Sequence, residues 1–478
     1  HITVNNKNKN SLVWLRRDLR LYDHNALYQA LKKSNAVYCC FIFDTEILKN
    51  LSNKNDRRIA FIWNSLREIK TNLNKLGSDL IVEIGDPISV IPSLIEKYKC
   101  DALFLNKDYE QYAISRDNKV AEKLKKSKVG FHKYKDQVLY EDKEILTQND
   151  SPYTVFTPYK NNYLKKLLIE GINQYDCDLY MSNLAKFDSE NFPTIQEIGF
   201  EESNLLSMKV PLGTKGGLSL INDFKKRIKN YNTERNFPGI KGVSYLSVHN
   251  RFGTVSIRHL AKIALNDNSE GSSTWLNELI WRDFYFQILS NFPHIQTGKA
   301  FKNKYNNLIF ENDEKKFSAW KKGSTGFPIV DAGMRQLNST GYMHNRLRMI
   351  IACFLVKDLL IDWRWGEKYF ADNLIDYDFS ANNGGWQWAA STGCDAQPYF
   401  RIFNPTLQSE KFDPDGNFIK KYIPELELLD KKEIHQPSVF FNKSPDSFPI
   451  ELGVNYPFPI VNHAEQKIKI MSIFKAVE

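Results

Sequence analysis

The chain has 478 residues, 42% of them hydrophobic and 25% charged, with a formal net charge of +9. That hydrophobic share excludes a disordered chain, and the length exceeds what one ordinary core fills, so two globular domains are expected. The Lys and Arg excess favours a polyanionic partner, no apolar run is long enough for a membrane helix, and six cysteines with no CxxC pair or zinc-spaced histidines point to the cytoplasm rather than a disulfide framework.

Between residues 11 and 135, short apolar runs at 12–15, 36–43, 80–84, 102–105 and 130–134 alternate with helical periods at 58–76 and 88–98. This is βαβ spacing, and it predicts a doubly wound, Rossmann-like parallel sheet covered by helices. No G-x-G-x-x-G follows the first strand, so an NAD site is not expected. Residues 136–210, rich in Asn, Asp, Ser, Tyr and Pro with few sustained periods, read as a long interdomain linker. From 211 to 478 helical apolar spacing dominates, at 218–231, 256–264, 274–290, 329–337, 346–361 and 464–477, and an all-α domain is expected.

Three stretches of this second part carry the chemistry. In WLNELIWRDFY, 275–285, a 3.6-residue period puts Trp275, Glu278, Leu279 and Arg282 on one helical face with Trp281 at its edge. A Glu/Arg pair four apart is ordinarily a solvated surface pair worth about 0.3–0.5 kcal/mol, but two flanking tryptophans place this carboxylate in a partly apolar cleft. In GYMHNRLRM, 341–349, Asn345, Arg348 and Met349 share a face while Arg346 points about 100° away. The first face can offer an amide and a guanidinium to a flavin or phosphate, and Arg346 can reach an external anion. The bland reading is a basic helix start with Met as gap-filler.

In LIDYDFSANNGGWQWAASTG, 374–393, Asp376 and Asp378 are a weak cation site, lacking further oxygen ligands. They and Asn382 can instead accept from a ribose hydroxyl or an imide N–H, or hold a cationic arginine, with Gly384 and Gly385 permitting close backbone approach. Trp363, Trp365, Trp386 and Trp388 crowd the same region. Alone they are core packing; beside these polar groups they suggest a redox-active aromatic ligand.

With WLRRDLRLYDHNAL (14–27), YTVFTPYKNNYLKKL (153–167) and PYFRIFNPTLQSEKFDPDG (398–416), these stretches resemble the photolyase/cryptochrome family over nearly the whole chain, and within it the class I cyclobutane pyrimidine dimer DNA photolyases. The resemblance implies an α/β antenna domain (11–135), a linker (136–210) and a helical FAD domain (211–478). It implies FAD contacts from Tyr231, from the loop Val243, Ser244, Tyr245, Leu246 and Ser247, and from Trp275, Asn345, Arg348, Asp376, Tyr377, Asp378 and Asn382. Val243 stands where many relatives have Thr, leaving more of the phosphate binding to Ser244, Ser247 and backbone N–H groups. Asn382 is expected beside the flavin N5.

For repair, the resemblance implies electron transfer from excited, reduced anionic FAD to a dimer flipped out of the duplex. Trp281 and Trp388 would pack against the dimer, Met349 would close the pocket, and Glu278 and Asn345 would hydrogen-bond the lesion. Contacts to UV-damaged DNA are expected from Arg235, Glu278, Arg282, Asn345, Arg346, Arg401, Gln408 and Lys411. Trp386 and Trp363 match the inner members of a tryptophan electron-transfer chain. The outer position holds Phe310, so photoreduction is expected to be slow or to finish at Trp320 or a tyrosine.

A second chromophore is expected near Asp44 and residues 106–117. Glu110 suits methenyltetrahydrofolate and the loop 44–58 suits 8-hydroxydeazaflavin, and the choice stays open. No metal, membrane or obligate protein partner is expected of this monomer, cytoplasmic and nucleoid-associated if bacterial. The alternative is a cryptochrome-type blue-light photoreceptor without repair activity. Against it stand Glu278, Trp281, Asn345, Met349 and Asn382 together, and no long tail after the last helix.

Overall fold

Five strands, β1 (Asn8–Leu15), β2 (Ser34–Asp44), β3 (Leu80–Gly85), β4 (Ala102–Asn106) and β5 (Gly130–Tyr134), pair in parallel in the order β3-β2-β1-β4-β5. They belong to a computed structural model describing residues 7–189 and 191–478. The chain divides into two units, the first running through Tyr153 and adding 157–226 and 244–291, the second comprising 154–156, 227–243 and 292–478.

In the first unit the strands follow the expected runs; the inner strands β1, β2 and β4 carry apolar stretches without alternation because helices cover both faces of a parallel sheet, whereas the edge strand β5 (GFHKY) is partly exposed. The helices are α1 (Asn25–Lys33), α2 (Arg57–Lys75), α3 (Pro87–Lys97) and α4 (Gln111–Lys126). Leu12, Trp14, Cys40 and Ile42 pack with Ile91 and Leu94 of α3 and Val120 and Leu124 of α4 in one buried cluster. Strand order reverses between β1 and β4, the switch point at whose carboxyl end a crevice is expected.

The stretch 136–210 is less irregular than its composition suggests, for it contains α5 (Phe156–Glu170). Phe156, Tyr159, Tyr163 and Leu167, three or four residues apart, form the buried stripe, while exposed Leu168 and Ile169 blur the period. Asp136, where this stretch begins, is clasped by Arg20 and Arg258 at 2.6 Å each. Burial alone would raise its pKa, but the two guanidiniums hold it well below the usual carboxylate range. The unit is completed by α6 (Gly213–Lys225), α7 (Ile257–Asn266) and α8 (Glu270–Asn291). Ser256 caps α7 by accepting from the Arg258 and His259 N–H groups. The helix expected over 218–231 ends at Lys225, and Tyr231 lies in a separate turn, Tyr231–Glu234.

The second unit is helical, as expected: α9 (Glu314–Lys322), α10 (Pro328–Thr340), α11 (Asn345–Cys353), α12 (Trp363–Asn373), α13 (Phe379–Ala389), α14 (Pro405–Phe412) and α15 (His463–Lys475). Side chains of Asp313, His344, Asp362, Asn404 and Asn462 cap α9, α11, α12, α14 and α15 by accepting first-turn N–H bonds. The helix expected over 346–361 is α-helical only to Cys353 and continues as a π turn, Phe354–Asp358. Trp320, Trp363 and Trp386 are buried in a core with Met334, Leu337, Leu355 and Phe370. Gly384 and Gly385 lie inside α13, so the diglycine is helical rather than a loop. Gly366 of α12 makes room for an indole: a Cβ there would lie 2.1 Å from Cη2 of Trp386.

Candidate functional site

In the first unit α8 carries the aromatic and acidic side chains expected to meet cofactor and lesion. Trp275 is buried with its ring 4.9 Å from Phe224, and half-buried Trp281 packs on Phe284 and Tyr285, both at 5.5 Å. Glu278 is half-buried between them, and Arg282 donates to the Gln137 carbonyl at 2.6 Å. What anchors this helix is Asp283, a residue the sequence reading passed over. Its fully buried Oδ2 accepts from the Leu139 N–H (3.0 Å), the Tyr140 N–H (3.3 Å) and the Tyr163 hydroxyl (2.7 Å). Burial pushes this carboxyl up to about 6 in spite of Arg282 and those donors.

The loop expected at the phosphates has Ser244 half-buried, Ser247 exposed and Leu246 buried. Tyr245 sits in the left-handed region (φ 60°), exposed, and Ser244 Oγ accepts from the Leu246 N–H at 3.4 Å. At the carboxyl ends of the strands Arg16, Arg17, Arg20, Asn106, Asp108 and Asp136 line a crevice. The expected antenna residues are already engaged nearby. Asp44 accepts from the Tyr112 hydroxyl at 2.7 Å and from Arg116 at 3.2 Å, and Glu110 lies 3.8 Å from Arg17.

In the second unit Arg348 and Asp376 form a two-pronged pair at 2.7 and 3.2 Å, and Arg348 Nε also donates to the Met343 carbonyl at 2.7 Å. Asp376 and Asp378 are buried and Tyr377 is half-buried. The Asn382 amide Nδ2 donates to the Glu367 carbonyl at 3.0 Å, while Asn383 donates to the Glu367 carboxylate at 2.7 Å. Burial pushes Glu367, another residue not singled out from sequence, up to about 7 despite the Asn383 bond. Asn345 is exposed and Met349 half-buried, with the Met349 sulfur 3.9 Å from Arg346 Nη1. His344 caps α11, and burial with the Arg348 and Arg346 charges pushes it down to about 4, so it is neutral at physiological pH.

Tyr231 is buried beneath the Arg235 guanidinium, 5.3 Å from its ring, and the Val243 carbonyl accepts from Arg227 at 2.9 Å. Two expected DNA contacts converge on one ring: Arg346 lies 4.4 Å and the Lys411 ammonium 5.3 Å from the Phe412 centroid. Arg346 also bonds Asn236 Oδ1 at 2.7 Å. Arg401 and Lys411 are exposed, Gln408 is half-buried, and half-buried Trp388 lies 6.3 Å from Phe403. Among the described residues no group of acids, histidines or cysteines could hold a metal, and no helix is long and apolar enough to cross a membrane.

A flat heteroaromatic bearing an imide fits this second-unit donor set. It would meet buried carboxylates, a fixed guanidinium, an amide whose N–H is committed elsewhere, and the buried Trp386 indole N–H, which has no partner. A Cβ added at Gly385 would meet nothing within 4 Å. A family model described as the FAD binding domain of DNA photolyase matches residues 275–476, and a DNA photolyase model matches 11–176. The deoxyribodipyrimidine photo-lyase of Escherichia coli (strain K12) is 37% identical over 475 residues, covering 97% of this chain and 98% of that protein. The chain belongs to the DNA photolyase family.

Two solved photolyases align over almost the whole length. The class III photolyase from Agrobacterium tumefaciens gives a TM-score of 0.89 at 33% identity, covering 100% of this chain and 99% of that one. The archaeal photolyase from Sulfolobus tokodaii, whose structure has two FAD molecules, gives 0.81 at 34%, covering 98% of this chain and 100% of that one. The photolyase therefore pairs a parallel-sheet N-terminal domain with a helical FAD-binding domain, as expected from the sequence. Its membership is fixed at the level of the family, while the class I subdivision is a narrower statement.

Proposed function

We propose that this photolyase is a class I enzyme that splits cyclobutane pyrimidine dimers in UV-damaged DNA under blue light, with FAD as its cofactor. The bound flavin, reduced and photoexcited, supplies the electron that opens the cyclobutane ring, and the electron returns afterwards. The chain's own residues bind, orient and exclude water. Asp376 and Asp378 accept hydrogen bonds from the cofactor, Arg348 is fixed for it by Asp376, and Trp275, Tyr231, Tyr377 and the loop Val243–Ser247 complete its seat.

One observation carries the reading. The Asn382 Nδ2 is committed to the Glu367 carbonyl at 3.0 Å, so what the amide offers is its Oδ1 acceptor. An acceptor beside a flavin N5 favours the reduced cofactor, whose N5 bears hydrogen, over the oxidised one, whose N5 is a lone pair. That is the redox state repair requires and a resting receptor does not, which favours repair over the cryptochrome-type alternative.

At the lesion, Trp281 and Trp388 stack, Met349 closes the pocket, and Glu278 with Asn345 bonds the dimer carbonyls and the charge arriving on them. Arg346 and Lys411, with Arg235, Arg282, Arg401 and Gln408, hold phosphates. The class I assignment is supported by the motifs at 14–27 and 398–416, and the three functional parts are 11–135, 136–210 and 211–478. An antenna pigment sits in the first of these, and the absorption spectrum of the purified protein distinguishes methenyltetrahydrofolate, 8-hydroxydeazaflavin and a second flavin. The enzyme acts in the cytoplasm, nucleoid-associated if bacterial, a reading supported by six free cysteines, and as a monomer without an obligate partner, which sedimentation at micromolar concentration tests. Glu278→Ala is expected to lower the yield of dimer repair with little loss of FAD, and an unchanged yield would remove Glu278 from the lesion.

A further inference from the structure

Where an outer tryptophan would end the electron-transfer chain this protein has buried Phe310, which is not oxidised at a comparable potential. The contacts of the inner tryptophans point elsewhere. Trp386 lies one helical turn beyond Asn382 on α13. Its ring meets Trp320 of α9 edge-on, centroids 6.0 Å apart at 70°. On its other side Trp320 meets Tyr369 of α12, centroids 5.6 Å apart at 64°. Trp320 is fully buried, whereas Tyr369 is half-buried and its hydroxyl donates to Asn338 Oδ1 at 2.5 Å. Three oxidisable rings in successive contact thus lead from the helix of Asn382 toward solvent.

Trp363 is poorly placed for the same task. The Arg364 guanidinium stands 4.7 Å from its ring and is paired with Asp362 at 3.1 Å, an arrangement that leaves no net negative charge beside the indole to stabilise a cation radical. Another exit from Trp320 runs toward Trp365 through Phe317, at 5.7 and 5.2 Å, a ring that cannot be oxidised in turn.

We infer that Trp320 and Tyr369 form the working exit branch for photoreduction, with Tyr369 the terminal donor; this rests on FAD being seated beside Asn382. One electron leaves Trp386 for the bound flavin, Trp320 refills Trp386, and Tyr369 refills Trp320. No bond breaks until Tyr369 gives up its phenolic proton, past Asn338, to solvent. A soluble thiol, itself oxidised toward a disulfide, then returns an electron and a proton to Tyr369.

The test is flash photolysis of DNA-free, flavin-loaded protein, with transient absorption and paramagnetic resonance on protein carrying ring-deuterated tyrosine. Expected is a long-lived neutral tyrosyl radical whose spectrum narrows on deuteration, absent in both Tyr369→Phe and Trp320→Phe and retained in Trp363→Phe. Tyr369→Phe keeps the ring and should hold the parental complement of FAD. A spectrum indifferent to deuteration, a radical that survives Tyr369→Phe or Trp320→Phe, or one abolished by Trp363→Phe would each overturn the branch. Dimer repair by chemically reduced protein reads the proposed function separately and should be unchanged in all three variants.

Discussion

Replacing Asp283 by Asn tests how the helix carrying Trp275, Glu278 and Trp281 is held. The Asp283 carboxyl titrates at 3.8 when unperturbed and is pushed up to about 6 by burial in the folded protein. Because the folded state binds the proton more tightly, the contribution to stability is complete below about pH 3.8 and is lost as pH rises through about 6. Over that whole window it amounts to about 3 kcal/mol, of which about half, roughly a tenfold change in the folding equilibrium, falls between about pH 5 and pH 7.5. Asn cannot titrate but keeps an acceptor for the Leu139 and Tyr140 N–H groups and the Tyr163 hydroxyl. Urea unfolding of parent and Asp283→Asn at both pH values, followed by tryptophan fluorescence, cancels every other titrating group. The folding equilibrium of the variant should gain roughly tenfold on that of the parent between the two conditions. A gap that does not change with pH would refute a protonated anchor at this position.

Gly366→Ala drives a Cβ to 2.1 Å from Trp386 and 2.6 Å from the Leu355 side chain, where ordinary contact begins at 3.4 Å. Overpacking of about 1–3 kcal/mol should outweigh the roughly 1 kcal/mol of helix propensity that Ala brings, and an unchanged denaturation midpoint would contradict the packing described. Arg348→Met leaves Asp376, whose side chain is 3% exposed, without its partner. Stripping one member from such a pair costs about 3–5 kcal/mol, so the flavin-to-protein absorbance ratio and the melting temperature should both fall, and parental values would show the pair to be dispensable. Arg346→Met should reduce the slope of log affinity for DNA against log salt by about 0.9, the share of one phosphate contact; an identical slope would take Arg346 off the DNA.

The inner strands were legible because burial on both faces turns them into uninterrupted apolar runs, as in LVWL before Arg16 or the stretch ending at Asp44. Helix α5 was not, because Leu168 and Ile169 on its exposed side break the period that Tyr159, Tyr163 and Leu167 set. Nor was the π turn, since residues 350–361 are buried on all sides, so the apolar spacing that predicted a helix does not mark where its winding changes. In α13 two glycines argue against a helix that Trp386 packing nonetheless enforces.

At the site, residue types gave Asn345, Arg348, Asp376 and Asn382 as candidates, but not how they are fixed. The partners of Asp283 are two backbone N–H groups and the Tyr163 hydroxyl, all more than a hundred residues earlier in the chain, and Glu367 holds Asn382 through its carbonyl, which any residue would supply. An acid in a string of letters does not reveal its burial, so two carboxyls that burial pushes well above their ordinary range, Asp283 and Glu367, went unremarked.

The most direct test of repair is to mix the purified, FAD-loaded and reduced protein with an oligonucleotide carrying one cyclobutane thymine dimer and to count dimers after blue illumination and after darkness. The account predicts dimers lost with multiple turnovers in the light and retained in the dark. Dimers that persist under blue light, with reduced flavin present and the oligonucleotide bound, would contradict it.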